Sequence, residues 1–88
     1  MKTVNLPIEM ISVCAVDGQM RPLRFRLEDR QRQLVVVPVR EVVVSRETDF
    51  AGTKIYVYVC QVVLENIEHL VELRYLVKTH RWILFRFL

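Results

Sequence analysis

The sequence predicts a single small all-β domain, an antiparallel six-stranded meander that curls into a barrel. Branched and aromatic residues dominate its apolar segments, Gly occurs twice and Pro three times, and short apolar runs separated by polar clusters are typical of strands. The 88 residues, 52% hydrophobic and 26% charged, are enough for one hydrophobic core. We therefore expect one domain over residues 1–88, of the SH3-like or OB-like kind.

The N-terminal third predicts two strands joined by a tight turn. The first strand runs from Ile8 to Val16 and stops at Asp17-Gly18, a dipeptide suited to the positive φ angles of a hairpin turn. The second strand follows Pro22 and ends in a polar turn over residues 28–33. Its alternation predicts a half-buried strand, with an apolar face of Leu23, Phe25 and Leu27 and a polar face of Arg24, Arg26 and Glu28.

The third strand, Leu34–Val44, is rich in valine and contains Pro38, which cannot donate to a hydrogen-bond ladder. Alternation places Val35, Val37 and Val39 on one face of this strand. It would place Val42 and Val44 on the opposite face. One extra residue flips every later side chain of a strand to the other face. A bulge or break near residues 38–41 is therefore expected, since it keeps all of these valines inward and bends the sheet.

The second half of the chain predicts three more strands. They follow a polar loop over residues 45–53, the longest loop of the prediction. The fourth strand, residues 55–64, is apolar on both faces, which is typical of a central strand. Polar turns then delimit the last two strands: residues 65–68 precede a strand over 71–77, and residues 78–81 precede a strand from Trp82 onward.

Residues 63–78 also fit a helix, because apolar side chains such as Val63, Ile67 and Leu70 recur there at helical spacing. The alternative fold is therefore α+β, with one helix near 63–78. The alternation of Tyr75 and Val77 favours the strand. In an open sheet, valine-rich strands would leave unpaired edges, so we expect closure into a barrel or a homodimer joined through edge strands.

The charge of the chain is modest but unevenly spread. Thirteen basic and ten acidic residues give a formal charge of +3, too little to attract nucleic acid or a membrane by long-range field alone. Five arginines fall within residues 21–32, and small barrels hold single-stranded nucleic acid with basic side chains interleaved with aromatic rings. The structural alternative is that the rings fill the barrel and the arginines pair across strands. The predicted surface for nucleic acid or another ligand consists of Arg24, Arg26, Tyr56, Tyr58, Arg81 and Trp82.

The sequence offers no motif for catalysis, for a cofactor or for a metal. Cys14 and Cys60 each lie in an apolar run, which predicts two buried thiols rather than a disulfide. His69 and His80 lie in predicted turns without a second ligand at metal spacing, which predicts surface histidines. We therefore expect no enzyme and no cofactor, and a Cys14 nucleophile paired with a histidine is the least supported alternative.

A series of short motifs resembles a known family. The motifs are Pro22-x-x-Phe25, the valine strand, Tyr56-x-Tyr58, Glu72-Leu73-Arg74-Tyr75 and Arg81-Trp82-x-Leu84. Their order over residues 20–86 is similar to that in a short bacterial family of small β domains of unknown function. Related domains resemble the tails of accessory proteins that act beside error-prone DNA polymerases, which implies an adaptor or a DNA-linked role. The chain lacks the tryptophan pair expected after the valine strand, and no functional residue carries over.

The expected function is binding rather than catalysis. We expect a cytoplasmic module that binds a protein partner or a second copy of itself, with single-stranded nucleic acid as the alternative ligand. No apolar run approaches the ~20 residues that span a bilayer. Glu9 interrupts the apolar N-terminal stretch, which argues against a signal peptide. We expect no membrane partner.

Overall fold

A computed structural model describes residues 2–88, Lys2 by its backbone alone, and contains strands but no helix in that range. The strands are β1 (Lys2–Cys14), β2 (Met20–Glu28), β3 (Leu34–Phe50), β4 (Thr53–Leu64), β5 (Ile67–Leu76) and β6 (Arg81–Phe87). Each is antiparallel to its sequence neighbours, and β6 returns to β1 to close the barrel. The all-β prediction is confirmed. The alternative of a helix near 63–78 is wrong, because β4 and β5 occupy those residues.

No helix capable of crossing a membrane is present in the described part of the chain.

The barrel consists of two sheets that share β1 and β3. Residues 2–8 of β1 and 39–50 of β3 are the outer strands of the large sheet, with β6, β5 and β4 between them. Residues 9–14 of β1 and 34–38 of β3 flank β2 in the small sheet. Strands that pass from one sheet to another bend at bulges. The register of β3 shifts between Val39 and Glu41, where the strand changes sheets, and this confirms the break predicted there.

β3 departs from the prediction further along the chain. A second shift of register, between Val42 and Val44, turns Val44 outward and leaves it 44% exposed, so its predicted inward position is wrong. Residues 45–50 then continue the strand, and the predicted long loop is wrong. Ala51 and Gly52 form the turn with φ angles of 52° and 80°, as a two-residue hairpin loop requires. Polar side chains on an exposed hairpin have no periodicity that would reveal it.

A bulge also changes the alternation in β2. The register with β1 shifts between Ile11 and Ser12, and Leu23 is the extra residue. Pro22 and Phe25 are therefore buried, whereas Leu23 is 38% exposed. The predicted inward position of Leu23 is wrong, because one inserted residue reverses the faces before it.

The first strand and its turn follow the prediction in part. Gly18 adopts a φ of 90° in the turn after β1, as Asp17-Gly18 predicts, and the Gln19 N–H donates to a carboxylate oxygen of Asp17 at 3.0 Å. β1 begins at Lys2 instead of Ile8. Its first half pairs with β6 at the far end of the sequence, a contact that no local pattern can indicate.

The core fills the space between the sheets. Cys60, Val71 and Leu73 have 0% of their surface exposed. β4 lies between β3 and β5, as its two apolar faces predict, and Val57 on its outer face is also buried. The inward side chains completing the core are Phe25, Val37, Tyr58, Val62, Trp82 and Leu84.

Candidate functional site

β2 and β3 are paired over only part of their lengths. Arg24–Glu28 of β2 pair with Leu34–Pro38 of β3. Beyond Pro38, β3 pairs with β4, and no described strand pairs with its other side from Val39 to Phe50. We call this unpaired side of residues 39–50 the open edge. Such an edge presents N–H and C=O groups that a further strand can bond.

A cleft follows the open edge, between β3 and the β1–β2 hairpin. It comprises two adjoining cavities of about 330 and 260 Å³, both lined by Gln19, Met20, Ser45 and Tyr58. It thus places a strand edge beside aliphatic, aromatic and charged groups. The remaining lining residues are Val13, Ala15, Gly18, Arg21, Val42, Arg46, Glu47 and Tyr56.

Tyr58 joins the two walls of the cleft. Its hydroxyl donates a hydrogen bond of 2.8 Å to the carbonyl oxygen of Met20, and its ring packs on Trp82 with the centroids 5.4 Å apart. Burial raises the pKa of Tyr58 to about 12, so the hydroxyl remains protonated at neutral pH and can donate. The bond therefore holds the β1–β2 hairpin in place where β2 does not pair with β3.

An aromatic cluster supports the floor of the cleft. The ring of Tyr56 stacks on that of Tyr75 with a centroid distance of 5.9 Å. The Tyr75 hydroxyl lies 2.8 Å from Nδ1 of His80 in the turn before β6. Tyr75 also packs against Trp82 in the core, with the centroids 5.1 Å apart. These ring contacts stabilise the packing of Tyr56 and connect the cleft to the core.

The rings that the sequence suggested for a ligand surface lie largely inside the barrel. Tyr58 and Trp82 are 5% and 8% exposed, because the alternation of β4 and β6 turns both inward. They cannot stack on bases from the outside, and their predicted surface role is wrong for that reason. Tyr56 is half-buried and lines the cleft, and Arg81 is exposed at the start of β6.

The other predicted arginines lie on the outer face of the small sheet. Nε of Arg26 donates to Glu9 at 2.7 Å, and a terminal nitrogen of Arg26 contacts the same carboxylate. Arg24 is exposed beside it. No exposed ring accompanies these cations in the described lining of the neighbouring cavity of about 450 Å³, which consists of Glu9, Ile11, Arg24, Phe25, Arg26 and Val36, with Phe25 buried.

The cysteines and histidines do not come together. Cys60 is buried as predicted, and burial raises its pKa to about 12, so its thiol is protonated. Cys14 is exposed, and the prediction that it is buried is wrong because it ends β1 at the rim of the barrel. His69 lies half-buried in β5 rather than in a turn. Within residues 2–88 no hydrogen bond joins Cys14 to a histidine, and no cluster of metal-ligating side chains is present.

A buried carboxylate lies on the outer face of the large sheet. Glu72 is 1% exposed and accepts hydrogen bonds from Nε of Arg74 at 2.7 Å and Nε of Arg86 at 2.8 Å. The Arg74 guanidinium lies 3.4 Å from the centroid of Phe85. Burial by itself would raise the pKa of Glu72, but the hydrogen bonds and charges of the two arginines outweigh it and lower the pKa.

The sequence does not indicate this cluster, because the pairing of Glu72 with Arg86 joins two strands. Its carboxylate is already bonded by both arginines and is shielded from solvent. We therefore regard the cluster as part of the framework of the large sheet rather than as a ligand site.

Comparison with models of protein families, with curated proteins and with solved structures finds no match to this chain. The resemblance to small bacterial β domains therefore stays a prediction. The open edge and its cleft are the features of the described structure that bear most directly on function.

Proposed function

We propose that this protein is a non-catalytic binding module that takes up an extended segment of another polypeptide chain along the open edge of β3. The observation that carries the proposal is the one-sided pairing of residues 39–50, which bond to β4 and to no other described strand. An extended peptide completes such a sheet through main-chain hydrogen bonds, and pockets beside it select particular side chains. The cleft supplies such pockets.

Apolar side chains along the open edge support this proposal. Val43 and Val44 are 51% and 44% exposed, although valine gains free energy when it is removed from water. Val42 and Met20 line the cleft from opposite walls. An added strand would cover these side chains while bonding the peptide groups of the edge.

A non-catalytic role in the cytoplasm is part of the proposal. Cys14 and Cys60 are both free thiols, which is usual in a reducing compartment. Cys60 is protonated and enclosed in the core. Cys14 has no hydrogen-bonded base among the described residues, and such a base is a common means of activating a nucleophile.

Single-stranded nucleic acid is the less favoured ligand. Stacking on aromatic rings contributes ~1–3 kcal/mol per base in such complexes, and Tyr58 and Trp82 are buried. Arg24 and Arg26 face solvent without an exposed ring beside them, and Glu9 neutralises Arg26. Affinity would rest on phosphate contacts and would fall steeply with salt.

Selection from a library of random peptides, followed by amide hydrogen exchange of each complex, tests the proposal. We expect selected peptides to slow exchange within residues 39–50. Val44→Lys should weaken their binding by roughly tenfold, since burying a misplaced charge costs on the order of 1–2 kcal/mol. Val4→Lys is the matched control, because Val4 is 37% exposed on β1 and is not part of the cleft lining.

Two results would contradict the proposal. In the first, the selected peptides protect β2 or β1 and leave residues 39–50 exchanging as in the free protein. In the second, Val4→Lys weakens binding as much as Val44→Lys does, which would mean that the site lies elsewhere.

A further inference from the structure

We infer that the open edge is self-complementary and pairs, antiparallel, with the open edge of a second copy of this chain. The inference rests on the proposed function and names the extended segment that the edge takes up, residues 41–46 of the second copy. The resulting dimer has a two-fold axis beside Val44. Its support is the distribution of charged and apolar side chains along β3.

The register of β3 on β4 determines which side chains of the open edge share a face. Two bulges, at Arg40 and Val43, interrupt the simple alternation. Side chains opposite inward residues of β4 point toward the cleft, and those opposite outward residues point to solvent. Glu41, Val44 and Arg46 lie opposite the outward residues Gln61, Val59 and Val57, whereas Val42 and Ser45 lie opposite the inward residues Cys60 and Tyr58.

A two-fold axis perpendicular to the sheet sets residues of the same face opposite each other. When Val44 lies opposite Val44 of the second copy, Glu41 of each copy lies opposite Arg46 of the other on the outer face. Val42 then lies opposite Ser45 on the side of the cleft. Symmetry repeats each pair, so opposite charges flank a central valine contact on both sides. Directly opposed pairs of this kind stabilise a sheet.

Other positions of the axis lose this match. An axis beside Val42 sets Glu41 opposite Val44, and an axis beside Arg46 sets the two guanidinium groups of the copies opposite each other. Like charges directly opposed are destabilising. The charges therefore select the register centred on Val44.

The two charged groups are available for this pairing. Both Glu41 and Arg46 are exposed. Neither side chain has an ion-pair or hydrogen-bond partner within residues 2–88. The charges flanking them differ in this respect. Arg40 lies 4.0 Å from Glu68, and Glu47 lies 3.4 Å from Lys54. Partners within the chain thus engage the flanking charges, while the matched pair stays free for a second copy.

Sedimentation equilibrium of the full chain tests the inference with two charge reversals. Glu41→Arg and Arg46→Glu each set like charges opposite one another twice, so each variant should dissociate at a concentration roughly tenfold higher or more. An equimolar mixture of the two variants restores opposite charges across a heterodimer and should associate as strongly as the wild type. The double variant Glu41→Arg/Arg46→Glu should do so by itself.

Arg24→Glu is the matched control, because it reverses an exposed arginine on the small sheet and should leave the dissociation constant unchanged. A chain that stays monomeric at every concentration reached would overturn the inference, while peptide selection would still decide the proposed function. A dimer that responds equally to Arg24→Glu and Arg46→Glu, or a mixture no stronger than its components, would also overturn it.

Discussion

The barrel has two places where a strand changes sheets and leaves an unpaired edge, and they differ in how well that edge is protected. On β1, residues 2–8 pair only with β6, and this edge carries Pro7 and an irregularity between Thr3 and Leu6, with Asn5 at a φ of 49°. Proline lacks an N–H and a bulge twists an edge away, and both discourage further pairing. On β3, the open edge has bulges at Arg40 and Val43, but it contains no proline, and Val44–Phe50 pair with β4 without interruption.

Under the proposed function, we therefore expect binding at the open edge of β3 rather than at the β1 edge. A second contrast follows, between the open edge and the opposite side of the barrel. β4, β5 and β6 are paired on both sides and contribute most of the core. Changes in these strands away from the cleft residues Tyr56 and Tyr58 should alter stability and leave binding intact, whereas changes at the open edge should do the reverse.

The largest expected effect is on the fully paired side. Leu73 is 0% exposed, so Leu73→Ala should lower the free energy of unfolding by about 2–5 kcal/mol through lost contacts and a cavity. At concentrations where the chain is monomeric, Val44→Lys should change it by less than about 0.5 kcal/mol, since exposed side chains contribute little. Urea unfolding of the two variants measures both values. Comparable losses would show that the open edge is part of the core rather than a binding surface.

A smaller effect is expected at the buried carboxylate. Glu72→Gln should cost about 1–3 kcal/mol at neutral pH, because it leaves Arg74 and Arg86 without their counter-charge. Both arginine side chains are 30% exposed, and water compensates them in part. Urea unfolding measures the cost, and peptide binding should not change.

The ion pairs of Glu72 with Arg74 and Arg86 make the stability lost in Glu72→Gln depend on pH. The pKa of Glu72 in the folded protein lies below its ordinary value of 4.5, so the stabilisation is fully present above that pH. It disappears as the pH falls through the folded pKa. The unfolding free energies of wild type and Glu72→Gln should therefore converge in strong acid. A difference that stays constant down to strongly acidic pH would rule out the charge as its source.

The smallest effect is expected at the cleft. Tyr58→Phe removes the donor to the Met20 carbonyl and should cost about 0.5–1.5 kcal/mol. Amide exchange should accelerate in the hairpin at residues 15–20 and remain unchanged in β5 and β6. Equal acceleration throughout the barrel would mean that the bond supports the whole fold instead of holding the hairpin.

Much of the fold could be predicted because apolar alternation is a local property. Val71, Leu73 and Tyr75 of β5 have it along the inward face of the strand, and turn residues such as Gly18 mark where strands end. The long extension of β3 could not be predicted, because residues 45–49 are polar and the whole stretch 45–50 stays exposed except for Thr48. The candidate site was missed for a related reason, since an unpaired edge is defined by the absence of a neighbour rather than by its own side chains.

By itself the sequence determined the fold class, the central place of β4 and the break in β3 beside Pro38, because each follows from the side-chain period of a strand. Only the tertiary structure decided which part of β3 lacks a second partner strand, that Tyr58 and Trp82 face inward, and that Glu72 meets Arg86. These features depend on which distant strands become neighbours and on bulges that reverse faces. Both are set by the packing of the whole barrel and not by any local segment.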